Sequence, residues 1–247
     1  MALFKNFEEI EISDIQELVG NVREVKSLDF KREIKIDEDT EKEEFLADIS
    51  SFSNSVGGHI IYGIDEKEGL AENIVGFKTD NIDSLILKIE NLLRDCIKPR
   101  INNVEIKPIK LEDNGFILAI KIPRSWNSPH MVDFKGKNKF YARKSAGKYK
   151  MDIDEIRNSF SLSESIIEKI KSFRRERLSI IESGDTPIIL KNKAKVILHI
   201  IPFNSVDKSI NYDLSFLINP ETRKPLRTII AESINYKYNV DGLSLYD

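Results

Sequence analysis

The chain of 247 residues carries 38 Lys and Arg against 41 Asp and Glu, so no global positive field draws it to a polyanion and such a partner needs a local patch. Its single cysteine, Cys96, excludes a disulfide framework and a one-chain zinc–thiolate site and points to a reducing compartment. No apolar run approaches bilayer length and nothing at the start resembles a signal peptide, so the reading is a cytoplasmic protein with no membrane partner.

In chain order, residues 8–20 predict a short amphipathic helix closing at Gly20. Leu28 to Ile36 alternates, with Leu28, Phe30, Ile34 and Ile36 on one face and Asp29, Lys31, Glu33 and Lys35 on the other, which predicts a half-buried strand with a polar face. Thr40 with Glu43 reads as a capping box opening a helix to about Asn54. The run Phe52-Ser-Asn54-Ser-Val-Gly57-Gly58 then predicts a glycine turn into a strand over His59–Ile64, with Asp65 where that strand stops. A second helix fits Ile82–Cys96, with Leu85, Ile86, Ile89, Leu92 and Leu93 on its apolar side.

Strands are predicted at 103–110, 115–122 and Lys139–Arg143, with a loop containing Pro129-His130 after the second. Ser161 with Glu164 reads as a capping box for a long helix ending near Gly184. Beyond it, strands fit Ile188–Leu190, Lys195–Phe203, Tyr212–Leu217 and Asn239–Leu245, with a helix near Thr228–Tyr236. The order predicts an α+β fold: a mixed β-sheet flanked by helices over 1–160, a connecting helix over 161–185 and a smaller α+β region over 186–247. The chain stops inside an alternating pattern, as an excerpt of a longer protein would.

Two constellations could carry chemistry. Glu24, Asp29 and Asp65 lie on or beside neighbouring predicted strands, and three carboxylates around a cavity suit Mg²⁺ or Mn²⁺. Lys31 shares the face of Asp29 and could neutralise a phosphate. Spacing alone favours four solvated residues on a polar sheet face, since acids make up about a sixth of the chain. The second is Phe134–Met151, which holds seven lysines or arginines and no acid, interleaved with Phe140, Tyr141 and Tyr149. Cations there would hold a phosphate backbone while exposed aromatics stack bases; the alternative is a solvated hairpin with core aromatics. No P-loop, dinucleotide fingerprint or nucleophile elbow occurs.

Several short motifs occur together in order: Glu24-Val-Lys-Ser-Leu-Asp29-Phe30-Lys31, the Phe52–Gly58 turn, Gly63-Ile-Asp65, Pro129-His130 and Phe140-Tyr-Ala-Arg143-Lys144. Over roughly residues 20–160 the chain thereby resembles the Schlafen-type, Alba-like domain. The resemblance implies a metal-dependent endoribonuclease acting on structured RNA such as tRNA, in a toxin or anti-phage role. Glu24, Asp29 and Asp65 would then hold Mg²⁺ or Mn²⁺, Lys31 would assist, and Lys139, Arg143, Lys144 and Lys148 would hold the nucleic acid. One position departs from the pattern, where Asp29 stands for the usual Glu. The relatives also pair two such lobes, which implies a homodimer or a partner chain here. A non-catalytic nucleic-acid-binding or sensor module in a defence or transcription-regulating protein is the alternative, and a regulator whose basic loop docks on an acidic protein is the third.

Overall fold

The structure is a computed structural model that describes residues 7–112, 115–145, 147–186, 188, 197–201, 235–239 and 242–246. The chain divides into two units, Met1–Ser163 and Glu164–Asp247.

The first unit is built around α2 (Asp39–Ser53), in which every residue from Phe45 to Ser53 is buried. Such all-round burial marks a helix covered on several sides rather than an amphipathic surface helix. Small side chains make it possible. Ser50 and Ser51 are fully buried and turn their hydroxyls back to the helix carbonyls of Ala47 and Asp48. The N-terminus is closed by Glu38 and Glu41 rather than Thr40 and Glu43, because the Glu38 side chain meets the N3 amide while Glu41 reaches back.

One sheet has the order β1 (Leu28–Lys31), β2 (Gly58–Tyr62), β7 (Phe116–Ile122), β6 (Glu105–Lys110), with β1 and β2 parallel and the other pairs antiparallel. The period of two sends alternate residues to opposite faces. Ile60, Leu118 and Ile120 pack in one core with Phe45, Leu46, Ile49 and Phe52 of α2 and Ile89 of α3 (Ile82–Cys96). Leu28, Phe30, Ile61, Ile117 and Ala119 pack in the other, with Phe7, Ile10 and Ile15 of the N-terminal segment. That segment is a 3₁₀ turn, Phe7–Glu9, and a short α1, Ile12–Gln16, where the sequence suggests one helix.

The second sheet is antiparallel, in the order β10 (Gly147–Lys150), β9 (Lys137–Lys144), β8 (Met131–Phe134), β5 (Ile97–Lys98). A hairpin of β3 (Ile64–Lys67) and β4 (Leu70–Ile74) follows Gly63. The expected strand over Leu28–Ile36 ends at Lys31. Asp29 is buried at 5% exposure, so the polar-face reading fails at that residue, while Lys31 on the same face keeps 37% exposure.

Helix α4 runs from Ile153 to Ser183 without interruption, so Ser161 is an interior residue. Its true start signal is Asp152, whose Oδ1 accepts from the amides of Asp154 and Glu155 at 2.9 and 2.8 Å. In the second unit, Phe173 and His199 meet edge to face with ring centroids 6.1 Å apart. A hairpin joins β11 (Asn235–Asn239) to β12 (Gly242–Tyr246). The strand expected at 239–245 falls on this hairpin, which also takes residues 235 and 236 of the expected helix. Of the strands expected at 188–190 and 195–203, the described residues 188 and 197–201 form no strand; the rest of both, the strand at 212–217 and the helix over 228–234 lie outside the described residues.

The glycine pair after α2 is where the first sheet closes onto its neighbours. Gly57 has φ +72°, and a Cβ there would stand 2.5 Å from the Arg124 amide nitrogen and 2.8 Å from the Ile122 carbonyl. A Cβ on Gly58, at φ +151°, would fall within the Ser27 carbonyl. Gly58→Ala should therefore lower unfolding free energy by about 3 kcal/mol or more, whereas Gly136→Ala, with open space around it at φ +75°, should cost about 1 kcal/mol. Denaturant unfolding of the two variants measures the difference.

Candidate carboxylate–cation site

Because Leu28 and Phe30 face one core, Asp29 and Lys31 face the other side of β1, beneath α2. There Asp29 meets Arg143 of β9, whose Nη1 donates to Asp29 Oδ2 at 3.0 Å; both side chains are more than nine-tenths buried. Arg143 also lies 4.0 Å from Asp48 of α2, and its guanidinium stacks 4.1 Å from the centre of the Phe52 ring. Lys31 Nζ stands 3.6 Å from Asp29. Lys148 of β10 reaches Asp48 at 2.7 Å and also pairs with Glu44. Three cations thus converge on two buried acids, Asp29 and Asp48.

Glu24 completes the group from the segment before β1. Its backbone amide donates to the Gly69 carbonyl, and its Oε1 accepts from the Phe30 amide at 2.8 Å. Partial burial, then a side-chain hydrogen bond to Asp29, push its carboxyl up to about 7. Burial works to raise the Asp29 carboxyl too, but the Glu24 hydrogen bond and the charges of Lys31 and Arg143 outweigh it and hold it below the usual range. Of the pair, Glu24 therefore holds a proton more readily and Asp29 stays ionised more readily. Asp48 goes the other way: burial raises it more than Lys148 and Lys31 lower it. For Lys31, burial opposes the charge, yet Asp48, Asp29 and Glu24 raise its pKa.

Of the three acids expected to act together, the structure brings Glu24 and Asp29 into contact and turns Asp65 to Arg32. Glu66, not Asp65, is the β3 acid whose charge is felt at Glu24. Among the described residues, no three His, Cys, Asp or Glu side chains group so as to hold a metal ion. As arranged, the donor set does not suit Mg²⁺ or Mn²⁺, because the Asp29 carboxylate is already neutralised by Arg143 and Lys31.

The basic run is also placed differently from a free patch. Lys135 pairs with Asp39, Lys137 and Lys139 pair with Glu43, Lys148 pairs with Glu44 and Asp48, and Arg143 is internal. Of the four residues expected to hold nucleic acid, Lys144 is the one that stands exposed, its Nζ 4.3 Å over the Tyr149 ring. Sequence reasoning missed the acids of α2 that supply these partners. Asp48 left a signal, as a lone acid among Phe45, Leu46, Ile49 and Phe52. His130, expected to be structural, is fully buried: its backbone amide donates to Asn54 Oδ1 at 2.7 Å and its ring Nδ1 meets the Pro99 carbonyl at 2.6 Å.

Two outcomes follow from these charges. Arg143→Met strands Asp29 and Asp48 in the interior and should cost about 3–5 kcal/mol, against under about 1 kcal/mol for Lys135→Ala at an exposed pair; urea unfolding at pH 7 reads both. Glu24 is raised in the folded state, so its contribution to stability is full below the unfolded carboxyl range and is lost as pH rises through about 7. Glu24→Gln, which keeps the hydrogen-bond donor, should remove a stability loss on the order of 1–2 kcal/mol between pH 5 and 8, discounted for partial exposure.

A sequence model of the Schlafen, AlbA_2 family matches residues 24–152. Among solved structures, the DIP2311 protein from Corynebacterium diphtheriae is similar at 19% identity and a TM-score of 0.40, over 57% of this chain and 26% of that one. The N-terminal domain of a DNA helicase RecG-related protein from Nitrosomonas europaea is similar at 13% identity and a TM-score of 0.39, over 55% of this chain and 88% of that one. The chain thus spans about a quarter of the first of these proteins. No curated protein matches it. The match takes in Glu24, Asp29, the glycine turn and Arg143, and the chain belongs to the Schlafen, AlbA_2 family.

Proposed function

We propose that the family domain is a non-catalytic nucleic-acid-binding or sensor module, with RNA as the first candidate ligand. The observation that carries this reading is the Asp29–Arg143 pair. With Arg143 buried on Asp29 at 3.0 Å, the central acid of the expected cutting set serves as an internal counter-ion. The paired lysines of β8–β10 support the binding half of the reading. Pairs such as Lys135–Asp39 and Lys137–Glu43 are exposed on the lysine side, and exposed pairs are worth under about 1 kcal/mol. A phosphate can therefore compete for them.

A second reading, a metal-dependent endoribonuclease cutting structured RNA such as tRNA as a toxin or anti-phage effector, has one observation in its favour. Glu24 and Asp29 share a hydrogen bond beside Lys31, which is 37% exposed, and paired carboxylates are half of a divalent-cation set. This reading requires Asp65 to leave Arg32, with a second copy of the chain completing an RNA cradle.

Purified protein incubated with total tRNA and Mn²⁺, beside Glu24→Ala/Asp65→Ala, separates the two. The module reading expects no cleavage beyond that of the variant, together with retention of tRNA at low salt that falls steeply as salt rises. Cleavage by the wild-type protein alone would overturn it in favour of the nuclease.

A further inference from the structure

On α2 the acids Asp39 and Glu43, and again Glu44 and Asp48, stand four residues apart, so each pair shares one helix face. They meet the basic strands in order. Asp39 takes Lys135, Glu43 takes Lys137 and Lys139, Glu44 and Asp48 take Lys148, and Asp48 lies beside Arg143. Along this series the cation side chains become steadily less exposed, at 61, 56, 28, 18 and 6%. The inner end is the buried carboxylate–cation site. The outer end lies in solvent, where an ion pair adds little to stability and is readily exchanged.

Each outer acid has a second cation. Asp39 keeps Lys42 at 3.9 Å, and Glu43 keeps Lys139. Lys135 and Lys137 can therefore leave without stranding a carboxylate, even at Glu43, whose side chain is only 17% exposed. Both acids are ionised at neutral pH, because their lysine hydrogen bonds hold them below the usual carboxylate range.

Lys135 also stands where the turn favours another residue. With Gly136 it forms the two-residue loop between β8 and β9, at φ +48° and +75°. Two successive positive φ values are the type I′ pattern, which favours Asn, Asp or Gly at the first position. A lysine in the left-handed region costs stability. A local rule broken at an exposed position points to function ahead of packing.

Resting on the nucleic-acid reading above, we propose that the hairpin tip carrying Lys135 and Lys137 is where a nucleic-acid phosphate backbone docks, and that Asp39 and Glu43 hold those lysines in the free protein as stand-ins for phosphate. Binding is then an exchange. Phosphates take the two exposed ammonium groups, Lys42 and Lys139 keep the acids neutralised, and the inner pairs at Asp48 stay closed. The outer acids of α2 thereby set how tightly the surface binds.

The test uses the full chain and labelled total tRNA at low salt, with thermal unfolding of every variant. Lys135→Asn/Lys137→Gln should weaken binding by about tenfold and reduce the salt slope by about 1.4–1.8, two phosphates' worth. Lys135→Asn alone should hold or raise the melting temperature, because Asn suits the turn, yet weaken binding by about threefold. Asp39→Asn/Glu43→Gln should tighten binding by about three- to tenfold, with the gain shrinking as salt rises. In the Lys135→Asn/Lys137→Gln background the same two changes should gain less than about twofold. An equal charge change at the exposed acids of α3, Asp83→Asn/Glu90→Gln, should also gain less than about twofold.

Binding indifferent to Lys135→Asn/Lys137→Gln, or no tighter after Asp39→Asn/Glu43→Gln, would overturn this surface and leave the nucleic-acid reading standing. An equal gain from the α3 acids would overturn the role of Asp39 and Glu43. Retention of tRNA by Asp39→Asn/Glu43→Gln but not by the wild-type protein would support the exchange. Retention by neither would remove the nucleic-acid reading itself, and this surface with it.

Discussion

The buried pair of Asp29 and Arg143 is the interaction on which the rest of the first unit depends. It joins β1 of one sheet to β9 of the other across the buried face of α2, between residues 114 apart in sequence. Desolvating two such charges costs several kcal/mol per ion, and the cost is recovered only when geometry is good and neighbours add further compensation. Here the neighbours do. Phe52 covers the guanidinium, Lys31 adds charge to Asp29, and Lys148 answers Asp48. The pair is best seen as setting which sheets meet and how, since replacement by apolar residues of like volume is often neutral for stability.

The glycine turn answers the same constraint at the end of α2. To bring the Asp48 turn of the helix over Arg143, the chain must reverse at once into β2, pressed between Ser27 and Arg124. Only residues without a Cβ fit both contacts at those backbone angles. Asn54 then ties the reversal to the second sheet through His130 and Tyr141. The turn is thus a junction of three chain segments.

Charge in this protein is divided by purpose. The acids on α2 pair with most of the cations of the basic strands, so a run that reads as a free patch is largely a set of ion pairs, exposed at Lys135 and Lys137 and internal at Arg143. Lys144 stands outside that arrangement, held over the Tyr149 ring. Ring contacts leave the positive charge available to an anion, whereas a carboxylate does not.

Local pattern was enough for much of this. Helices α2 and α3, strands β2, β6 and β7, and the order of the family motifs were legible because apolar spacing and turn residues are local properties. So was the α+β class. The sequence could not tell that Asp29 faces a helix rather than water, since a strand's alternation is the same whether its second face meets solvent or α2. Nor could it pair Lys139 with Glu43 or Asp65 with Arg32, because those partners are set by packing across long separations. What the sequence by itself determined is the family and the elements with a strong local pattern. Only the tertiary structure decided that the carboxylates are tied up in pairs and that segments distant in sequence meet at one turn, because burial and long-range contact turn a list of charges into a field.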